Sequence, residues 1–176
     1  MAYHKDCTEK EVPKNTDLSS RLIPMQAHDL KNGMWCLDDK SGMPGTVSEL
    51  KMSKTGKHGH AKFTYKLRMP HSGRSSSLMH PGGDHLLRPV MEKVEYLVSH
   101  MDGDEDIVCL NDDYEEIYFK LSPTRKDVYD NVTETLNRAM DEGKDCYVTV
   151  LEGPMKVKDK ITILQIITEA KAVNPQ

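Results

Sequence analysis

His60-Ala61-Lys62-Phe63-Thr64-Tyr65-Lys66-Leu67-Arg68-Met69 alternates apolar and polar residues without a break. Ala61, Phe63, Tyr65, Leu67 and Met69 fall on one side of an extended chain, and Lys62, Thr64, Lys66 and Arg68 on the other. A period of two marks a strand with one face buried and one in water. Working backwards, residues 47–52 read as a second, weaker strand and residues 34–37 as a third, with a turn at Ser41-Gly42-Met43-Pro44-Gly45 between them. Short strands joined by turns predict a small antiparallel barrel, SH3-like, over residues 22–86. Residues 1–21, charged and poor in apolar side chains, predict a disordered tail.

Working forwards, residues 70–89 read as loop-rich: Pro70, Ser72-Gly73, the serines 75, 76 and 77, Pro81-Gly82-Gly83 and Pro89, with an intradomain hairpin loop over 72–77 as an equal alternative to a linker there. A domain boundary falls near residues 86–89. Three strands follow, at 90–98, 107–110 and 114–121, joined by the acidic turns Asp102-Gly103-Asp104 and Asn111-Asp112-Asp113. A helix is predicted over 127–142, its apolar stripe formed by Val128, Val132, Leu136 and Met140, with Gly143 where a C-terminal glycine cap belongs. Strands at 146–151 and 161–167 complete the chain. Three strands, a helix and two strands is the order of an OB-fold, expected over 87–176. The fold class is therefore mainly β: an SH3-like barrel, then an OB-fold with one helix.

Charge separates the same two halves. Residues 1–86 hold 13 Lys+Arg against 9 Asp+Glu, and residues 87–176 hold 11 against 19. The basic half is the better match for a polyanion. No apolar run approaches the ~20 residues of a membrane-spanning helix, and the polar start has neither a signal peptide's apolar stretch nor a transit peptide's Arg-rich bias. A cytoplasmic location with no membrane partner is the expectation. The four cysteines, Cys7, Cys36, Cys109 and Cys146, are scattered, so free and mostly buried thiols are expected rather than a disulfide framework. With only 6% aromatics, the eleven methionines are expected to fill gaps in the cores.

The segment between the two central strands is Ser53-Lys54-Thr55-Gly56-Lys57-His58-Gly59-His60-Ala61-Lys62. Lys54, Lys57, His58, His60 and Lys62 are basic or can become so, and none of the ten is acidic. Gly56 and Gly59 bracket Lys57-His58, allowing the positive φ angles of a tight tip and close approach by a partner. A projecting basic finger with Lys57 near its apex is expected. Each phosphate that it neutralises would release counterions, which suits nucleic acid.

SKTGKHGHAK, preceded by Gly42-x-Pro44, Val47-x-Glu49-Leu50, Pro24-Met25-Gln26 and Leu30-Lys31-Asn32-Gly33, resembles the modification loop of the eukaryotic translation initiation factor 5A family, relatives of bacterial elongation factor P. The resemblance is strong over residues 22–67 and traceable from 94 to 150. Gly45-Thr46 stands where the family has Cys-Lys, and residues 68–88 keep little of its pattern beyond His80 and Pro89-Val90. The resemblance implies that Lys57 is converted to hypusine: deoxyhypusine synthase transfers an aminobutyl group from spermidine, and deoxyhypusine hydroxylase adds a hydroxyl. It further implies binding to the ribosome, through ribosomal RNA and the acceptor end of the peptidyl-site tRNA. Lys54, Thr55, Gly56, His58, Gly59, His60 and Lys62 would form the RNA-contacting loop. Relief of stalling at polyproline-type sequences and help in termination would follow.

Other chemistries fit less well. Gly56-Lys57 is no phosphate-binding P-loop, because Lys51 occupies the earlier glycine position and His58 the Ser/Thr position. His58 and His60 lack a third ligand for a metal. No nucleophile–base–orienter set is visible, and the acidic clusters at 102–106 and 112–116 read as solvated turns. No catalytic residue, metal or cofactor of its own is expected. Two alternatives remain: an unmodified, generic RNA-binding OB-fold protein, and an adaptor whose acidic C-terminal half recruits a protein.

Overall fold

A computed structural model describes residues 7–54, 56 and 60–176. The strands in chain order are β1 (Thr8–Lys10), β2 (Leu22–Gln26), β3 (Trp35–Leu37), β4 (Pro44–Lys54), β5 (Ala61–Arg68), β6 (Ser75–Pro81), β7 (His85–Pro89), β8 (Glu92–Asp102), β9 (Asp106–Leu110) and β10 (Glu116–Lys120). The helix α1 (Lys126–Asp141) follows, and then β11 (Asp145–Val157) and β12 (Lys160–Val173). They form a sheet β3-β4-β5-β6, a ribbon β2-β7, and a sheet β1-β12-β11-β8-β9-β10. The fold is mainly β, an SH3-like barrel and an OB-fold with one helix.

Two compact units divide the chain: Glu11–Met91 with Gly153–Ile163, and Met1–Lys10 with Glu92–Glu152 and Leu164–Gln176. The expected spans were continuous, 22–86 and 87–176. The difference arises because β11 and β12 run well past the predicted 146–151 and 161–167. Gly153-Pro154 looks like a strand break in sequence, yet Pro154 is fully buried within β11. The tip of this hairpin, Lys158-Asp159, has φ of 51° and 37°, the paired positive values of a two-residue hairpin turn. Part of the expected tail is also ordered, as β1 and a 3₁₀ turn at Ser19–Arg21.

In the first unit β5 behaves as its alternation demands. Phe63, Tyr65 and Leu67 are buried, while Lys62, Thr64, Lys66 and Arg68 are exposed. Met43, Val47, Leu67, Met69 and Leu78 build the core beneath it. The loop-rich stretch 70–89 holds two strands, β6 and β7, with turns left at 70–74 and 82–84. Ser75, Ser76 and Ser77 pair with Arg68, Leu67 and Lys66, and β7 pairs with β2 along its whole length. Serine has weak strand preference, so tertiary pairing rather than local propensity decides here. The turn between β5 and β6 closes when the Met69 amide donates to the Arg74 carbonyl (2.8 Å) and the Gly73 amide to Met69 (2.8 Å).

In the second unit, Ile107, Cys109, Phe119, Leu121, Val148 and Val150 meet one face of α1. Val132, Thr135, Leu136 and Ala139 are the buried helical residues, whereas Met140 is 69% exposed. Steps of four residues advance about 40° too far per turn, so three steps, from Val128 to Met140, carry the residue well off the stripe, and Ala139 takes the place expected for Met140. The helix ends as predicted: the Lys144 amide donates to Ala139 (2.8 Å) and the Gly143 amide to Met140 (3.4 Å), with Gly143 at φ 65°. Met52 and Met79 are likewise exposed, so three of the methionines are not core-filling.

Candidate functional site

The candidate loop is held by the β4–β5 hairpin. Ser53 pairs with Lys62 and Lys54 with Ala61, the last register pair before the tip. Gly56 has φ +71° and nothing within 4 Å of where a Cβ would stand, so its left-handed backbone serves the turn rather than packing. Lys54, Gly56, His60 and Lys62 are all exposed. Among the described residues neither Lys54 nor Lys62 is ion-paired. Thr55, Lys57, His58 and Gly59 lie outside the described residues. The structure therefore brings Lys54, Gly56, His60 and Lys62 to one end of the sheet.

The root of the finger is built from elements that sequence reading passed over. The Ala61 carbonyl accepts from the Gly82 amide (2.9 Å), and the Gly82 carbonyl accepts from the His28 amide (3.0 Å). A Cβ at Gly82 would stand 3.3 Å from the ring of Phe63, so the turn sits close against β5. Opposite Phe63 in the register lies His80. Its ring is buried, stacks on Tyr65 (centroids 6.0 Å apart), and faces a carboxylate at each nitrogen: Asp84 at 3.0 Å from Nδ1 and Asp39 at 3.4 Å from Nε2. Beneath it, burial pushes the Cys36 thiol up to about 12, helped by Asp39 and Asp38, and leaves it inert as a nucleophile. Only the isolated His80 match hinted at this brace, because Asp39 is distant in sequence and reaches the local pair His80 and Asp84 only through the tertiary fold.

Also unread was the part played by the exposed face of β5. Lys66 bonds Glu49 at 2.9 Å, and this hydrogen bond and charge hold the Glu49 carboxyl below its usual range. Glu49 has φ 52° and sits where β4 carries one residue more than β5, between Ser48↔Lys66 and Lys51↔Thr64. No group of three or more potential metal ligands occurs among the described residues.

An SH3-like barrel with a basic β4–β5 hairpin, followed by an OB-fold, is an arrangement that this chain shares with translation factors. Residues 20–67 match the model of the translation initiation factor 5A-like N-terminal domain. Eukaryotic translation initiation factor 5A-1 of Saccharomyces cerevisiae is 31% identical over 139 residues, covering 77% of this chain and 81% of the yeast protein. The factor 5A of Dictyostelium discoideum is 30% identical over 146 residues, covering 80% and 86%. Among solved structures, a factor 5A family protein from Naegleria fowleri superposes with a TM-score of 0.64 at 25% identity, over 86% of this chain and 99% of that one. The chain belongs to the translation initiation factor 5A family.

Proposed function

We propose that this translation factor binds the ribosome and presents a hypusine at Lys57 to the acceptor end of the peptidyl-site tRNA. It would promote peptide bond formation at polyproline-type stalls and aid termination. The observation that carries the reading is the SKTGKHGHAK string, which joins two paired strands inside the stretch that matches the family model. Deoxyhypusine synthase, with spermidine as donor, and deoxyhypusine hydroxylase would modify the lysine. Lys54, Thr55, Gly56, His58, Gly59, His60 and Lys62 would form the RNA-facing loop around it.

The factor acts without chemistry of its own, and so is not an enzyme. A lengthened side chain with a second amine supports the tRNA end in a reactive geometry, and the ribosome makes the bond. The protein works in the cytoplasm, with the lysine-bearing loop on its SH3-like barrel and the OB-fold as its second unit. No helix of the described residues is long and apolar enough to cross a membrane. Lys57→Arg keeps the charge but offers a guanidinium in place of the amine that a synthase alkylates. In reconstituted translation it should fail at polyproline templates, while Lys54→Arg stays near wild type. Equal polyproline synthesis by Lys57→Arg and the modified wild type refutes the reading.

A further inference from the structure

The outer face of the four-stranded sheet is open to solvent and carries a ladder of cations. Residues directly opposite in an antiparallel pair share a face, so four rows can be read from the register. Lys62 lies between Ser53 and Pro81, Thr64 between Lys51 and Met79, Lys66 between Ser48 and Ser77, and Arg68 between Thr46 and Ser75. Every row holds one cation: Lys62, Lys51, Lys66 and Arg68. Successive rows on one face are about 7 Å apart, so the ladder extends roughly 20 Å from the lysine loop down the sheet.

The extra residue in β4 creates this arrangement. Without it, Leu50 and Met52 would share the face with Thr46 and Ser48. With it, Lys51 and Ser53 do. Glu49 is the single acid beside the ladder among the described residues of these strands, and it pairs with Lys66 alone. The surface between β4 and β6 is an open concavity of about 520 Å³ whose polar lining is Glu49, Lys51, Thr64, Lys66 and Ser77, with Tyr65, Leu78 and Met79 as its apolar members. Met79 is 59% exposed within it, an adaptable apolar contact for a ribose or base.

We propose that this face, through Lys51, Lys66 and Arg68 together with Lys62, is a track for the sugar–phosphate backbone of an RNA strand, continuous with the loop. Charge complementarity selects the occupant. Evenly spaced cations beside small hydroxyl side chains suit a polyanion with a regular repeat, whereas a folded protein partner would need a larger apolar centre than the single exposed Met79 on this face. The inference rests on the reading that the loop meets RNA, and extends it from one lysine to a whole face.

The test uses the full chain and a fluorescent single-stranded RNA of about twelve nucleotides, titrated across a salt series. Lys51→Gln/Lys66→Gln/Arg68→Gln should flatten the slope of log K against log salt by about 2, because each phosphate that a cation neutralises on a single strand adds ~0.7 to it. The charge-keeping Lys51→Arg/Lys66→Arg/Arg68→Lys should keep the wild-type slope, which separates removal of charge from damage to the sheet. Wild-type slope in the glutamine variant overturns the proposal. So does failure of that variant to bind phosphatidylserine vesicles that the wild type binds, with its RNA binding intact. The Lys57→Arg translation assay fails or succeeds independently of this slope, so the two ideas can fall separately.

Discussion

Gly42→Ala tests how the β11–β12 hairpin tip is held within the first unit. Gly42 has φ +75°, and a Cβ there would meet the backbone carbonyl oxygen of Lys156, with the carbonyl carbon at 2.7 Å. The same two residues are tied when the Lys156 amide donates to the Gly42 carbonyl (3.0 Å), while the Gly42 amide donates to Asp38 (2.7 Å). A non-glycine residue in the left-handed region costs about 1–2 kcal/mol. Because the obstacle is backbone, the clash should also break the Lys156–Gly42 bond, at about 1 kcal/mol. The expected loss is therefore about 2–3 kcal/mol. Trp35, the only tryptophan, lies on β3 in the same unit and reports its unfolding. With a urea m-value of about 1–3 kcal/mol per M, the midpoint should fall by roughly 0.7–3 M. Gly33→Ala is the control: φ is +88° and nothing lies within 4 Å, so only the dihedral cost applies, about 1 kcal/mol. Equal losses for Gly42→Ala and Gly33→Ala would show that the Lys156 contact contributes nothing, and the reasoning would fail.

Two other outcomes follow from the second unit. Leu136→Ala should cost about 2–5 kcal/mol, and Met140→Ala less than about 0.5, as measured by thermal unfolding, because only the former is buried against the sheet. Burial pushes Tyr96 up to about 12, with the nearby Glu152 carboxylate, which accepts its hydroxyl at 3.1 Å, adding to the shift. The unfolded phenol loses its proton near 10 while the folded one keeps it. This stabilisation is thus complete below about pH 10 and disappears as pH rises towards 12. Glu152→Gln should lower the Tyr96 midpoint in an ultraviolet titration without restoring the ordinary value, because the burial remains.

Much of the fold was legible because it rests on periodicity. The alternation of residues 60–69 identified β5 and its buried side, and Val132, Leu136 and Gly143 identified the helix and its end. The strand–helix–strand order pointed to the OB-fold, and ten contiguous residues with their flanking motifs marked the loop. These signals are local, and a single chain displays them without its neighbours. Tertiary structure decided what local signals contradict or omit. Ser75, Ser76 and Ser77 become strand because β5 supplies their hydrogen bonds. Gly153 and Pro154 remain in β11 because the strand is paired and buried there. Asp39 meets the local pair of His80 and Asp84 only after two distant segments are brought together. One extra residue in β4 decides which of its side chains joins the cations of β5, and a one-residue shift is invisible until the partner strand sets the register.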